Sequence, residues 1–183
     1  MSAAEQHRAD AARFGAVVAA VEDWDAPSPV PEWRARDVVD HLVTWLPGFL
    51  EGSGIVLVAE PTTDPAQRWA GHAAAVQAVL DDPDLAGRRF AQAHLGEVVV
   101  GEAIDRFYTS DVVFHTWDLA QAAGVPHGLD PERCARTLAG MEPMDAMLRG
   151  SGQFGPRVPV APGTPPADAL MAFLGRDPAW RTR

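Results

Sequence analysis

Asp111-Val112-Val113-Phe114-His115-Thr116-Trp117-Asp118-Leu119-Ala120 reads as a helix, yet it carries three side chains that a core-facing helix does not ordinarily keep. At 3.6 residues per turn, Ile104, Tyr108, Asp111, His115, Asp118 and Ala122 fall on one stripe, flanked by apolar Val112, Val113, Phe114, Trp117 and Leu119. A carboxylate and an imidazole in an apolar setting are costly unless they pair or bind a cation. Asp111 and His115 are four apart, so their side chains converge on one point. A carboxylate oxygen and an imidazole nitrogen are two of the three protein ligands of an open divalent-metal site.

The third comes from an earlier helix. Around Ala35 to Gly52 the period places Val38, His41, Leu42, Trp45 and Phe49 inward. Asp37 and Asp40 sit in its first turns, where negative charge suits the helix dipole. Pro47 predicts a kink, with Trp45 the last regular position. Two His and one carboxylate leave coordination positions open on Zn²⁺, Ni²⁺ or Fe²⁺. Spacing alone leaves two readings of His41 open, a hydrogen-bonded core histidine or a ligand. Asp37, also four residues from His41, reads as a helix N-terminal charge. Asp118, one turn beyond His115, is placed to orient an imidazole. Trp45, Tyr108 and Arg106 are the expected pocket residues. His7, His72, His94 and His127 read mainly as solvated or locally hydrogen-bonded, with His72 a secondary lining residue.

The rest of the chain supplies further helices. A first helix is expected from about Ala4 to Glu22, ended by the proline-rich Asp25-Ala26-Pro27-Ser28-Pro29-Val30-Pro31. The segment Trp24 to Trp33 must be an ordered loop, because two tryptophans need burial. Ile55-Val56-Leu57-Val58 fits either a helix continuation or a short extended piece. Asp64-Pro65 opens a third helix to about Leu80, with Trp69, Ala73, Val76, Val79 and Leu80 inward. Residues 86–100 read as an irregular link with a short hairpin. The next helix runs from about Gly101 to Ala123 and ends at Gly124. Asp130-Pro131 caps another to about Leu148, interrupted by Pro143, and Ala167 to Leu174 forms a short last helix. Four or five helices with loops between them give an all-α bundle. Residues 1–149 are expected to form it, with 150–183 a Pro/Gly-rich tail packing on it.

Composition bounds the function. The 183 residues suit one domain, and the 47% hydrophobic fraction supports a real core. A net charge of −10 argues against nucleic-acid and anionic membrane partners and suits a cytoplasmic protein with a small-molecule substrate. The single cysteine, Cys134, suits a reducing compartment and reads as structural. No apolar run approaches the roughly 18 residues of a membrane helix. Richness in Ala, Arg, Asp, Gly and Pro without lysine points to a GC-rich bacterial genome.

Several stretches together resemble a known family. Asp37-Val38-Val39-Asp40-His41-Leu42-Val43, preceded by Trp24-Asp25-Ala26-Pro27-Ser28-Pro29 and Trp33, is similar to the N-terminal helix pair of the mycothiol-dependent maleylpyruvate isomerase family, within the DinB/YfiT-like superfamily of metalloenzymes. The similarity continues through Asp111 to Ala120, Ser151-Gly152-Gln153-Phe154-Gly155-Pro156-Arg157-Val158 and Phe173-Leu174-Gly175-Arg176-Asp177-Pro178. Within that superfamily it resembles the actinobacterial family of uncharacterised metal-binding proteins. The resemblance implies a DinB-like four-helix bundle with a metal on His41, Asp111 and His115, Zn²⁺ first. The isomerase carries Glu where this chain has Asp111, one methylene shorter, and it has a fuller C-terminal domain. Three functions arise as expectations. The first is a metal- and thiol-dependent transferase or isomerase, using mycothiol or a related low-molecular-weight thiol, with Arg106 or Arg149 on an acidic substrate group. The others are a metal-dependent hydrolase with Asp118 as base, and a non-catalytic metal- or ligand-binding stress protein, dimeric in one form. Whether the tail covers the pocket is left open by the sequence, with Phe154 and Arg157 the residues that could do so.

Overall fold

The computed structural model describes residues 1–92 and 95–181. Four long helical rods build it. Helix α1 spans Ala3–Val18, α2 Ala35–Leu50 and α3 Pro65–Asp81. A short α4 (Pro83–Ala86) leads into an antiparallel ribbon of β1 (Arg89–Gln92) and β2 (Gly96–Val99), pairing Arg89 with Val99 and Gln92 with Gly96. The fourth rod joins α5 (Val100–Ala103), a π-helical turn (Ile104–Thr109) and α6 (Ser110–Ala123). Helices α7 (Pro131–Met141), α8 (Asp145–Gly150) and α9 (Pro166–Phe173) complete the chain. The expected all-α bundle and the hairpin both appear.

Helix starts obey local chemistry. Ser2 and Glu5 form a reciprocal capping box on α1. Asp37 accepts from the Arg34 N–H at 2.8 Å, so its charge serves the N-terminus of α2. Asp64 and Asp130 cap α3 and α7, each succeeded by proline. Gly124, at φ 67°, ends α6 in the left-handed conformation.

The four rods are arranged so that α1 and α2 each pack against both α3 and the fourth rod. The chain's first two helices therefore sit at diagonal corners. Phe14, Leu42, Leu46, Leu50, Trp69, Val76, Ile104 and Val112 fill the space between the rods. A second apolar cluster lies on the other side of α6, where Val113, Phe114 and Trp117 meet Cys134 of α7 and Leu170, Met171 and Phe173 of α9. Every residue of α6 from Val112 to Ala120 is buried. That is why its polar residues looked out of place: this helix has no solvent face there to give them.

Several expectations are corrected. Helix α2 reaches Leu50, close to the expected end near Gly52, but its regular turns continue past Trp45. Pro47 lies on its exposed side, and the fully buried Leu46 and Leu50 hold the last turn, which tightens into a 3₁₀ turn at Glu51–Ser53. The inward face of α2 is Val38, Val39, Leu42, Leu46 and Leu50, with Trp45 and Phe49 beside it. Ile55 to Val58 forms no regular element, and Val56 and Val58 are exposed. Helix α1 ends at Val18, four residues before the expected Glu22.

Gly175, just beyond α9, sits at φ +93°, and a Cβ there would come within 2.9 Å of the Gly155 backbone. Both the conformation and the crossing demand glycine. Gly175→Ala is expected to cost about 2 kcal/mol or more, read as a lower urea midpoint with unchanged slope.

Candidate metal centre

His41 comes from the middle of α2, and Asp111 and His115 from successive turns of α6, where α2 and α6 pack side by side. One donor atom from each of the three lies within 4.8 Å of the other two. His41 Nε2 is 2.9 Å from Asp111 Oδ2, and His115 Nε2 is 3.4 Å from Oδ1. The Trp45 indole N–H donates to Asp111 Oδ2 at 3.0 Å. The spacing of four along α6 aims both of its side chains at the same point. The His115 side chain is 5% exposed and that of His41 32%, so the point of convergence is buried on one side and open on the other.

The indole of Trp33 closes one wall. Its ring lies 5.6 Å from His115 at 22°, and 5.0 Å from His41. The loop before α2 holds it there. Ser28 N–H donates to Trp33 C=O at 2.9 Å, and Trp33 N–H to Val30 C=O at 3.1 Å. The proline-rich loop is thus ordered as its tryptophans require.

Charge is balanced tightly. Burial opposes ionisation of Asp111, but His115, His41 and the Trp45 N–H outweigh it and hold its carboxyl below the usual range. Behind His115, Asp118 is fully buried, its Oδ2 2.9 Å from His115 Nδ1, with the ring not turned to the linear angle an N–H prefers. Burial again opposes the charge on Asp118. Arg176, arriving from beyond α9, outweighs it with His115 and holds this carboxyl low too.

The other expected residues take varied positions. Tyr108 is fully buried one turn before Asp111, its ring 5.7 Å from that of Trp45, and burial pushes its phenol well above the ordinary range. Arg106 is not brought to the site: it is exposed, with its guanidinium over the Phe107 ring. The π turn and its neighbours face Arg106 to solvent. Arg149 is occupied by Asp145 at 2.9 Å and by the carbonyls of Gly155 and Phe173. Phe154 and Arg157 gather around Arg149 and Phe173, at the α8–α9 end.

His7 and His72, expected mainly in solvent or in local hydrogen bonds, are both buried. His7 Nδ1 pairs with Gln77 Oε1 at 2.9 Å. The Gln77 amide N–H donates to Ala4 C=O and Asp81, so its oxygen must accept and His7 Nδ1 must carry the proton. His72 packs edge-on to Tyr108 with ring centroids 5.6 Å apart. Burial lowers its pKa to about 4. His127 makes the local bond expected, its Nδ1 accepting from Leu129 N–H at 3.0 Å. His94 lies outside the described residues. Cys134 is buried in the second cluster, where burial raises its thiol to about 11, an inert setting.

Two residues of the site were not singled out by sequence reasoning. Trp33 was expected to be buried but not to stack on both imidazoles. Arg176 reaches Asp118 across 58 positions, and no periodicity links them.

A set of two imidazole nitrogens and one carboxylate oxygen, with a second carboxylate behind one imidazole, is the donor chemistry of an open divalent-cation centre. Residues 5–52, which include most of α1, all of α2 and His41, match the family model described as the mycothiol maleylpyruvate isomerase N-terminal domain. An uncharacterised protein of Mycobacterium tuberculosis, found in strains H37Rv and CDC 1551, is 35% identical over 181 residues, covering 94% of this chain and 96% of its own length. No solved structure matches the chain significantly.

Proposed function

Because the chain belongs to the mycothiol maleylpyruvate isomerase-like family, we propose that His41, Asp111 and His115 hold one divalent cation and that the protein acts on a small electrophile with a low-molecular-weight thiol of the mycothiol type. Zn²⁺ is the first choice for this ligand set, with Ni²⁺ or Fe²⁺ as alternatives. The observation that carries the reading is the convergence of the three donors within 4.8 Å on a half-open wall between α2 and α6. A bound cation there supplies Lewis acidity, which lowers the pKa of a thiol or water in an open position.

The chain's own groups do the rest. Asp111 provides the anionic ligand, and the Trp45 N–H fixes one of its oxygens. Trp33 shields the imidazoles on one side and limits water access. Asp118 orients His115 from behind. Asp118 is fully buried and held by Arg176, so it does not reach a water at the open face as a general base. That favours the thiol reading over hydrolysis. Among the described residues no helix is long and apolar enough to cross a membrane. A reducing cytoplasm, where such thiols are kept, fits the single buried cysteine.

Protein purified without an affinity tag is expected to carry about one divalent cation per chain by elemental analysis. Turnover of an electrophile panel is expected only when both cation and thiol are supplied. Cation-free protein after reconstitution, or hydrolysis that proceeds equally without thiol, would sink the reading.

A further inference from the structure

We propose that Arg176 is a positioning residue for the metal centre: through Asp118 it fixes the ring of His115, so that cation affinity depends on the segment beyond α9. The proposal rests on the metal reading and adds a component that lies 61 positions from the nearest ligand in sequence.

The geometry is a continuous chain of contacts. Arg176 Nη2 donates to Asp118 Oδ2 at 3.0 Å and Nε to Oδ1 at 3.3 Å, a two-pronged grip on one carboxylate. Both carboxylate oxygens are thereby fixed in orientation. Oδ2 is also the atom 2.9 Å from His115 Nδ1. With Nδ1 at contact distance from Asp118, though off the linear N–H angle, the nitrogen left to face Asp111 is Nε2. A metal-ligating histidine ordinarily has its second nitrogen on a carboxylate that fixes tautomer and ring angle, and Asp118 stands in that place. Here the carboxylate is itself held by a cation.

The grip is rigid at the arginine end as well. Arg176 N–H bonds to Met171 C=O at 2.9 Å and Gly175 N–H to Ala172 C=O at 3.1 Å, closing the C-terminus of α9. Helix α9 is anchored by Leu170, Met171 and Phe173 in the cluster shared with Trp117 of α6. The Arg176 side chain is 15% exposed and that of Asp118 0%. A bidentate fork matches Asp118 in a way that a point-charge ammonium does not. Among the described residues Asp118 pairs with no other arginine, so nothing replaces Arg176 if it is removed.

Two measurements test this on the full-length chain. In the first, Co²⁺ and Zn²⁺ affinities are measured by chelator competition for the wild type, Arg176→Met, Arg176→Lys and Val76→Ala, together with the visible spectrum of the Co²⁺ form. Arg176→Met is expected to bind about 10–100-fold more weakly with an altered Co²⁺ spectrum, and Arg176→Lys to recover part of the loss. Val76→Ala loosens the core at α3, away from α9 and Asp118, and is expected to keep wild-type affinity and spectrum. Wild-type affinity in a folded Arg176→Met overturns the proposal, and so does an equal loss in Val76→Ala, which would assign the effect to general loosening. A wild type that binds no cation fails the metal reading instead. The second measurement needs no cation or variant: ¹⁵N chemical shifts of His115 in the wild type are expected to show the proton on Nδ1. A proton on Nε2 overturns the proposal even if Arg176→Met does not fold.

Discussion

Asp111→Ala is expected to lower the cation content of the purified protein from about one per chain to near zero, with at least a roughly 100-fold loss of Zn²⁺ affinity. Asp111 is the single anionic donor of the three, and its two oxygens face the two imidazoles separately, Oδ2 toward His41 and Oδ1 toward His115. Its removal takes away the charge and the atom around which the donors converge. It also leaves the Trp45 N–H and His41 Nε2 without a partner, so the apo protein itself loses stability. Asp111→Asn separates these effects, since the amide oxygen can still accept from Trp45 but carries no charge. Thermal shift gives an independent reading. A cation at about 100 times its Kd stabilises the wild type by about 2.7 kcal/mol, or roughly 5–10 °C in Tm for a chain of this size. Asp111→Ala and Asp111→Asn are expected to show no cation-dependent shift. Asp111→Glu, which restores the carboxylate the resembled isomerase carries, is expected to keep it. A full shift in Asp111→Ala would remove Asp111 from the ligand set.

The second large effect is on acid stability and comes from His72. Its pKa is near 4 in the folded chain against an ordinary 6.5, because burial beside Tyr108 penalises the charged ring. Between these two values the unfolded chain binds more protons than the folded one. Stability is therefore complete above about pH 6.5 and falls as pH drops toward 4, by about 3 kcal/mol across the window. His7, lowered for the same reason of burial, adds in the same direction. Urea midpoints at about pH 7.5, 5.5 and 4.5 should fall steeply for the wild type and distinctly less for His72→Phe. An equally steep fall in the two proteins would show that the acid sensitivity lies elsewhere.

What the sequence made legible was mostly local. Asp64-Pro65, Asp130-Pro131 and Gly124 mark helix ends through bonds spanning a few residues, and those ends appear where expected. The 3.6-residue period brought His41, Asp111 and His115 forward as a set because two lie on one face and the third on another inward stripe. The π turn at Ile104–Thr109 carries no comparable local mark. It adds a residue to one turn and rotates the residues before Ser110 relative to those after it. Tyr108 packs toward His7 and His72 as well as toward Trp45 on the Asp111 side. The burial of His7 depends on Gln77, 70 residues away, and the state of Asp118 on Arg176, 58 away. Pairings of that kind are set by tertiary contact alone.

The diagonal placement of α1 and α2 also bears on what a fragment of this chain could be. A piece cut after Gly52 would contain both helices and one prospective ligand, His41, but almost no interface between them, because each packs against α3 and the fourth rod. Phe14 would lose Trp69, and the buried face of α2 with Leu42 and Leu46 would lose α3 and α6. Such a piece would leave the inner faces of both helices open to water and is expected not to fold alone. Swapping only the first two helices between relatives would transplant half of two different interfaces.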